Sequence, residues 1–201
     1  MKRIAISMVF CLSVVFCSFA QKEVDKYYNN YWDKEFKILA TELKTAHDTD
    51  YELYIGVMGE SSSKDVYLSL KSSKIPDLIA FLQNVRSKYE EWCKVAQENN
   101  VKDLRKEMDF VSPGMTVSWY GTKWWFSFYQ EFRPSFMILD NGKMVVSMYK
   151  KVVSSSNKYI DQKVYFVFDR ANDIDGLIKK IQPEVVLEKL RAENKTGDLF
   201  H

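Results

Sequence analysis

The sequence is poor in the residues that staple small folds and that carry most side-chain catalysis. It holds three cysteines and two histidines in 201 residues. Cys11 and Cys17 fall within the first twenty positions, which leaves Cys93 alone in the rest of the chain. One thiol cannot form an internal disulfide, so the fold must stand on its hydrophobic core. His47 and His201 are isolated in sequence, and neither has the neighbours of a zinc-binding motif. Glycine occurs seven times, with no phosphate-cradling loop, no dinucleotide fingerprint and no nucleophile elbow. No cofactor is expected. Long apolar runs are missing too, apart from residues 4–16, and that run falls short of the ~20 residues that cross a bilayer.

What stands at the start is informative. Lys2 and Arg3 precede the apolar run, which Ser7 and Ser13 alone interrupt, and Ser18-Phe19-Ala20 closes it with small residues at two positions. That order is the layout of a secretory signal peptide. A lipid-modified Cys17 is disfavoured by bulky Phe16 before it. The expectation is cleavage after Ala20, a mature chain from Gln21, and a periplasmic or secreted location without stable membrane insertion. Losing Lys2 and Arg3 lowers the formal charge from +2 to zero, with 27 acidic residues remaining. A neutral, mixed surface offers no electrostatic reason to bind nucleic acid or anionic membrane.

The remaining residues suit a single α+β domain over 21–201. Residues 22–47 read as a leading helix, because Tyr28, Trp32, Phe36, Leu39 and Leu43 recur at roughly helical spacing. Residues 51–58 alternate, with Tyr51, Leu53, Ile55 and Val57 on one side, and 66–70 supply a second strand of a hairpin. Pro76 opens a long helix whose stripe is Leu78, Leu82, Val85, Tyr89, Trp92 and Ala96. A shorter helix is expected over 101–110. Five strands follow between 115 and 168, separated by turn residues such as Asn141-Gly142. Helical patterns return over 172–181 and after Pro183, and the tail after about 191 should fray. The sum is a mainly antiparallel sheet of about seven strands with helices on one face. Val66–Leu70 with its helix aligns with Val164–Phe168 and its helix, which raises a duplicated ββα unit as one reading.

Candidate chemistry is thin. Cys93 lies mid-helix on the apolar stripe, where a thiol packs as a small hydrophobe. Glu131 and Asp140 are the carboxylates that could form a hydrolytic pair, though Asp140 also suits its turn for backbone reasons. The strand 124–132 stands above background. Trp124, Phe126, Phe128 and Phe132 share one parity and are expected in the core. Trp125, Ser127, Tyr129 and Glu131 share the other, followed by Arg133. Trp125 and Tyr129, extended by Trp119 and Arg133, are therefore the candidate binding residues, an aromatic platform able to stack a sugar or anchor a partner.

The resulting expectation is an exported, non-catalytic binding or interaction protein of the bacterial cell envelope, with a protein, peptide or glycan ligand. Two alternatives are a hydrolase acting through a carboxylate pair on a glycan or cell-wall substrate, and a structural envelope component without a specific ligand. No catalytic residue and no metal site is assigned.

Overall fold

A computed structural model describes residues 21–43, 50–60 and 65–198, with side chains placed through residue 192. The leader over 1–20, the polar turn from Ser61 and both histidines lie outside the described residues. In chain order the elements are β1 (Lys22–Asn29), β2 (Lys34–Glu42), β3 (Tyr51–Val57), β4 (Val66–Lys71), α1 (Ile75–Glu98), β5 (Leu104–Glu107), β6 (Met115–Tyr120), β7 (Trp124–Gln130), β8 (Ser135–Ile138), β9 (Met144–Ser154), β10 (Asn157–Phe168), α2 (Ala171–Lys180) and α3 (Pro183–Asp198). The fold is mixed α+β, and every strand pairing is antiparallel.

Two sheets form where one was expected. A six-stranded sheet runs β1-β2-β3-β4-β6-β7 and a four-stranded sheet runs β10-β9-β8-β5. The extra strands come from two segments that read as helix. Residues 22–47 contain β1 and β2 instead of a leading helix. The spacing of Tyr28, Trp32, Phe36 and Leu39 runs across two strands and the turn between them, with Tyr28 exposed and Trp32 in the turn, while a bulge at Val24 breaks the alternation that would have marked β1. In β2 the inward residues Phe36, Ile38 and Ala40 do alternate, and pairing of Ile38 with Ile55 and Ala40 with Leu53 decides the outcome. Over 101–110, Leu, Arg, Lys and Glu favour helix weakly, but edge pairing of β5 to β8 prevails. At the other end α3 runs as helix to Asp198.

The long helix follows its periodicity: Leu78, Leu82 and Val85 are fully buried, and Tyr89 and Ala96 nearly so. They join Ile55 and Leu68 of the first sheet, Phe136 and Phe168 of the second, and Leu177 of α2 in one cluster. Each such side chain contributes about 1.5–3 kcal/mol by leaving water. The two aligned ββα units are both present, β3-β4-α1 with its hairpin in the first sheet and β9-β10-α2 with its hairpin in the second. α1 and α2 pack on each other. Polar clamps hold the layers in register. The Tyr89 hydroxyl lies 2.8 Å from the Asp169 carbonyl oxygen and 3.1 Å from that of Met144. Asp25 on β1 accepts from Lys180 of α2 at 2.9 Å and from Lys189 of α3. Tyr165 N–H donates to Met58 C=O at 2.9 Å and links β10 to the end of β3.

Candidate functional site

The aromatic hairpin β6–β7 forms the free end of the six-stranded sheet. Its turn is tight, with Gly121 N–H bonded to Lys123 C=O at 2.9 Å. Cross-strand pairs then run Tyr120–Trp124, Trp119–Trp125, Ser118–Phe126 and Val117–Ser127. The next pair is Met115–Gln130, so β7 spends one residue more than β6 over the same distance. That surplus is a β-bulge, and Tyr129 in it takes φ 55°, a left-handed conformation uncommon for a side chain of this size.

Which face is covered is the reverse of the expectation. Trp119 is 2% exposed and packs inward, Ser127 is buried beside it, and Trp125 is half-buried against the core. Tyr120, Trp124, Phe126 and Phe128 stand on the outer face and are 40–52% exposed. Strand alternation separates the two sets but carries no sign, and both sets are aromatic. The sign comes from the partner strand, because Met115, Val117 and Trp119 face the core and their pairs must follow. The bulge then inverts the phase. Phe132 turns inward, with its N–H bonded to Ser112 Oγ at 2.9 Å, while Tyr129 swings out to 89% exposure.

The outer aromatics stand on one face in two ring groups. Tyr120 and Trp124 meet edge to face at 5.5 Å, Tyr67 of β4 lies beneath Trp124 at 6.1 Å, and Phe126 and Phe128 are parallel at 6.4 Å. The backbone edge of β7 is partly closed by the β9–β10 turn. Ser155 N–H donates to Phe126 C=O at 2.8 Å, and Ser155 Oγ accepts from Phe128 N–H at 3.2 Å. Those bonds occupy groups that would otherwise invite another strand.

The four residues singled out from sequence do not converge. Trp119 and Trp125 line a shallow hollow of about 330 Å³ with Tyr159, and Lys123 Nζ lies 4.5 Å over the Trp125 ring. Tyr129 borders a different hollow beside Phe81 of α1. Arg133 lines a third, on the four-stranded sheet, and donates from Nη1 to Met108 C=O at 3.2 Å. Glu131 shares that third hollow, whereas Asp140 sits in the turn at the far end of β8, so these two carboxylates form no pair. Among the described residues no group of three or more His, Cys, Asp or Glu is placed to hold a metal ion. Cys93 is half-buried, and burial pushes its thiol above the ordinary value, away from the thiolate that a nucleophile needs.

Sequence reasoning missed the outward role of Trp124, Phe126 and Phe128, and it missed Arg105, Glu107, Tyr149 and Tyr165, which line the hollow with Arg133. For the first set the alternation was visible and its direction was not. The second set comes from three strands, β5, β9 and β10, the first of them distant in sequence from the other two. No family model, curated protein or solved structure matches this chain, so its geometry is the ground for any functional reading.

Proposed function

We propose that the mature chain is an exported, non-catalytic interaction protein of the bacterial cell envelope, periplasmic or secreted, whose partner is a protein that docks on the outer aromatic face of β6–β7. The observation that supports this is the uncovered surface of Tyr120, Trp124, Phe126 and Phe128 on adjoining strands. Exposed apolar side chains scattered singly are ordinary, but a contiguous patch of rings is the usual mark of an interaction surface. Trp, Tyr and Phe dominate the buried centres of protein interfaces, because each ring hides a large area at little cost in side-chain entropy. The basic-apolar-small order of residues 2–20 supports export. Among the described residues no helix is long and apolar enough to cross a membrane.

The hydrolase alternative draws less support. Glu131 and Asp140 are apart, and Glu107 and Glu131, which share a hollow, are both exposed. A general acid in a glycosidase owes its raised pKa largely to burial.

The test is capture of envelope proteins by the mature chain, comparing wild type with Trp124→Ser/Phe126→Ser/Phe128→Ser. A control with Tyr28→Ser alters an exposed aromatic on the opposite edge strand. A specific partner should be lost from the triple variant alone. Equal retention by all three proteins refutes docking at this face, and a native product that keeps residues 1–20 by intact mass refutes export.

A further inference from the structure

The outer face of the four-stranded sheet carries an open cleft of about 460 Å³, the size of a small-ligand site. Strand register builds it in rows. Arg105 lies across from Met137, Glu107 from Ser135, and Ser135 from Ser147. Tyr149 lies across from Tyr165. Rows two residues apart on a strand are separated by about 7 Å, so the cleft is longer than one ring-sized ligand.

The tyrosine rings sit 5.0 Å apart at a 34° tilt, and Trp32 backs Tyr165 edge-on at 6.1 Å. Arg133 is steadied by its bond to Met108 C=O. The segment carrying Glu131 is held by Lys150 Nζ, which donates to the Glu131 carbonyl oxygen at 3.0 Å. Among the described residues no ion pair engages the side chains of Arg105, Glu107, Glu131 or Arg133, although acids and bases share this one cleft.

We infer that this cleft is a saccharide-binding site that takes a short neutral oligosaccharide. The lining disfavours the other ligand classes in turn. A simple anion attracted by the arginines meets Glu107 and Glu131 in the same space. An apolar ligand would strip water from four charges and return nothing for it. A sugar hydroxyl donates and accepts at once, so neighbouring hydroxyls satisfy carboxylates and guanidiniums together through charge-assisted hydrogen bonds. The C–H face of a pyranose meets the Tyr149–Tyr165 pair, whose rings offer an apolar body with a polar tip. This site lies on the other sheet from the aromatic face of β7 and stands or falls independently of it.

The experiment titrates the mature chain with chitotetraose, maltotetraose and cellotetraose, and with tetragalacturonate as an anionic counterpart, following backbone amides by NMR. At least one neutral tetrasaccharide should shift the amides of Ser147, Tyr149 and Tyr165. Its affinity should change by less than about twofold between low and high salt, because a neutral ligand has no charge to screen. Tyr149→Ala should weaken binding roughly tenfold, while Tyr149→Phe, which keeps the ring, should stay within about threefold. Arg105→Met and Glu107→Gln should each weaken it roughly tenfold. Tyr149 is 45% exposed and Arg105 and Glu107 are exposed too, so these substitutions remove little buried surface, and an unchanged amide spectrum outside the cleft verifies the fold. The inference is overturned if no neutral sugar shifts the cleft, if tetragalacturonate alone binds with steep salt dependence, or if a bound sugar ignores Tyr149→Ala.

Discussion

Replacing Tyr129 by glycine should make the protein more stable, against the usual rule that glycine weakens a strand. Tyr129 sits at φ 55° in the β7 bulge and is 89% exposed, so the substitution removes almost no buried surface. Left-handed backbone costs an L-residue with a side chain roughly 1–2 kcal/mol, and glycine escapes that cost. Against this, glycine loses about 0.5–1 kcal/mol more backbone entropy on folding. The balance lies between about 0 and 1.5 kcal/mol in favour of glycine. For a chain of this size the upper end raises the melting temperature by about 3–6 °C. Were residue 129 an ordinary extended position, the entropy term would remain, β-propensity would be lost as well, and the melting temperature would fall by a similar amount or more. Thermal and urea unfolding of the mature chain decide between the two by sign alone. Phe128→Gly serves as the neighbour control, since that residue is not at positive φ and should be destabilised. A lower melting temperature for Tyr129→Gly would refute the bulge, and with it the explanation of why Phe132 is buried and Tyr129 exposed, as expected, while the rest of their parities lie on the reverse sides.

Two further outcomes follow from burial and charge. Phe126→Ser should change stability by no more than about 1 kcal/mol, since the ring is 42% exposed, whereas Phe136→Ala, fully buried beside Tyr89 and Trp92, should cost about 3–5 kcal/mol; equal costs in urea unfolding would mean that the outer face of β7 is covered after all. At Asp25, burial works to raise the carboxyl pKa, but hydrogen bonds from Lys189 and Lys180 prevail and hold it below its ordinary value. A depressed folded pKa gives stability that is fully present above the unfolded value and is lost as pH falls through the folded one. Asp25→Asn should therefore cost about 1–2 kcal/mol at pH 7, and the gap from wild type should close in acid; a gap that persists below about pH 2 would assign the loss to packing instead.

Legibility in the sequence tracked the length and regularity of each pattern. The α1 stripe from Leu78 to Ala96 repeats over many turns, and it folded as read. The alternation of Tyr51, Leu53, Ile55 and Val57 also survived, with all four buried. The failures share a cause. In β1 the bulge at Val24 corrupts the two-residue period, and the helical spacing of Tyr28, Trp32, Phe36 and Leu39 came from residues spread over two strands and their turn. β5 is four residues long and charged on its exposed side, too short for any period to show.

Local pattern by itself determined which residues travel together: the amphipathic stripe of α1, the two parities of β7, and the turns that make the hairpin pairings antiparallel. These depend on the repeat of the backbone alone, 3.6 residues per turn or two per pleat. Tertiary structure decided which parity of β7 meets water, because that depends on where the helices and the second sheet pack. It decided the split into two sheets, through pairings between strands that are not neighbours in sequence, β4 with β6 across α1 and β5 with β8 across the β6–β7 hairpin. It also assembled the cleft, where Arg105, Arg133, Tyr149 and Tyr165 become neighbours only through the register of four strands. A strand's period says what shares a face, and only its partners say what that face will touch.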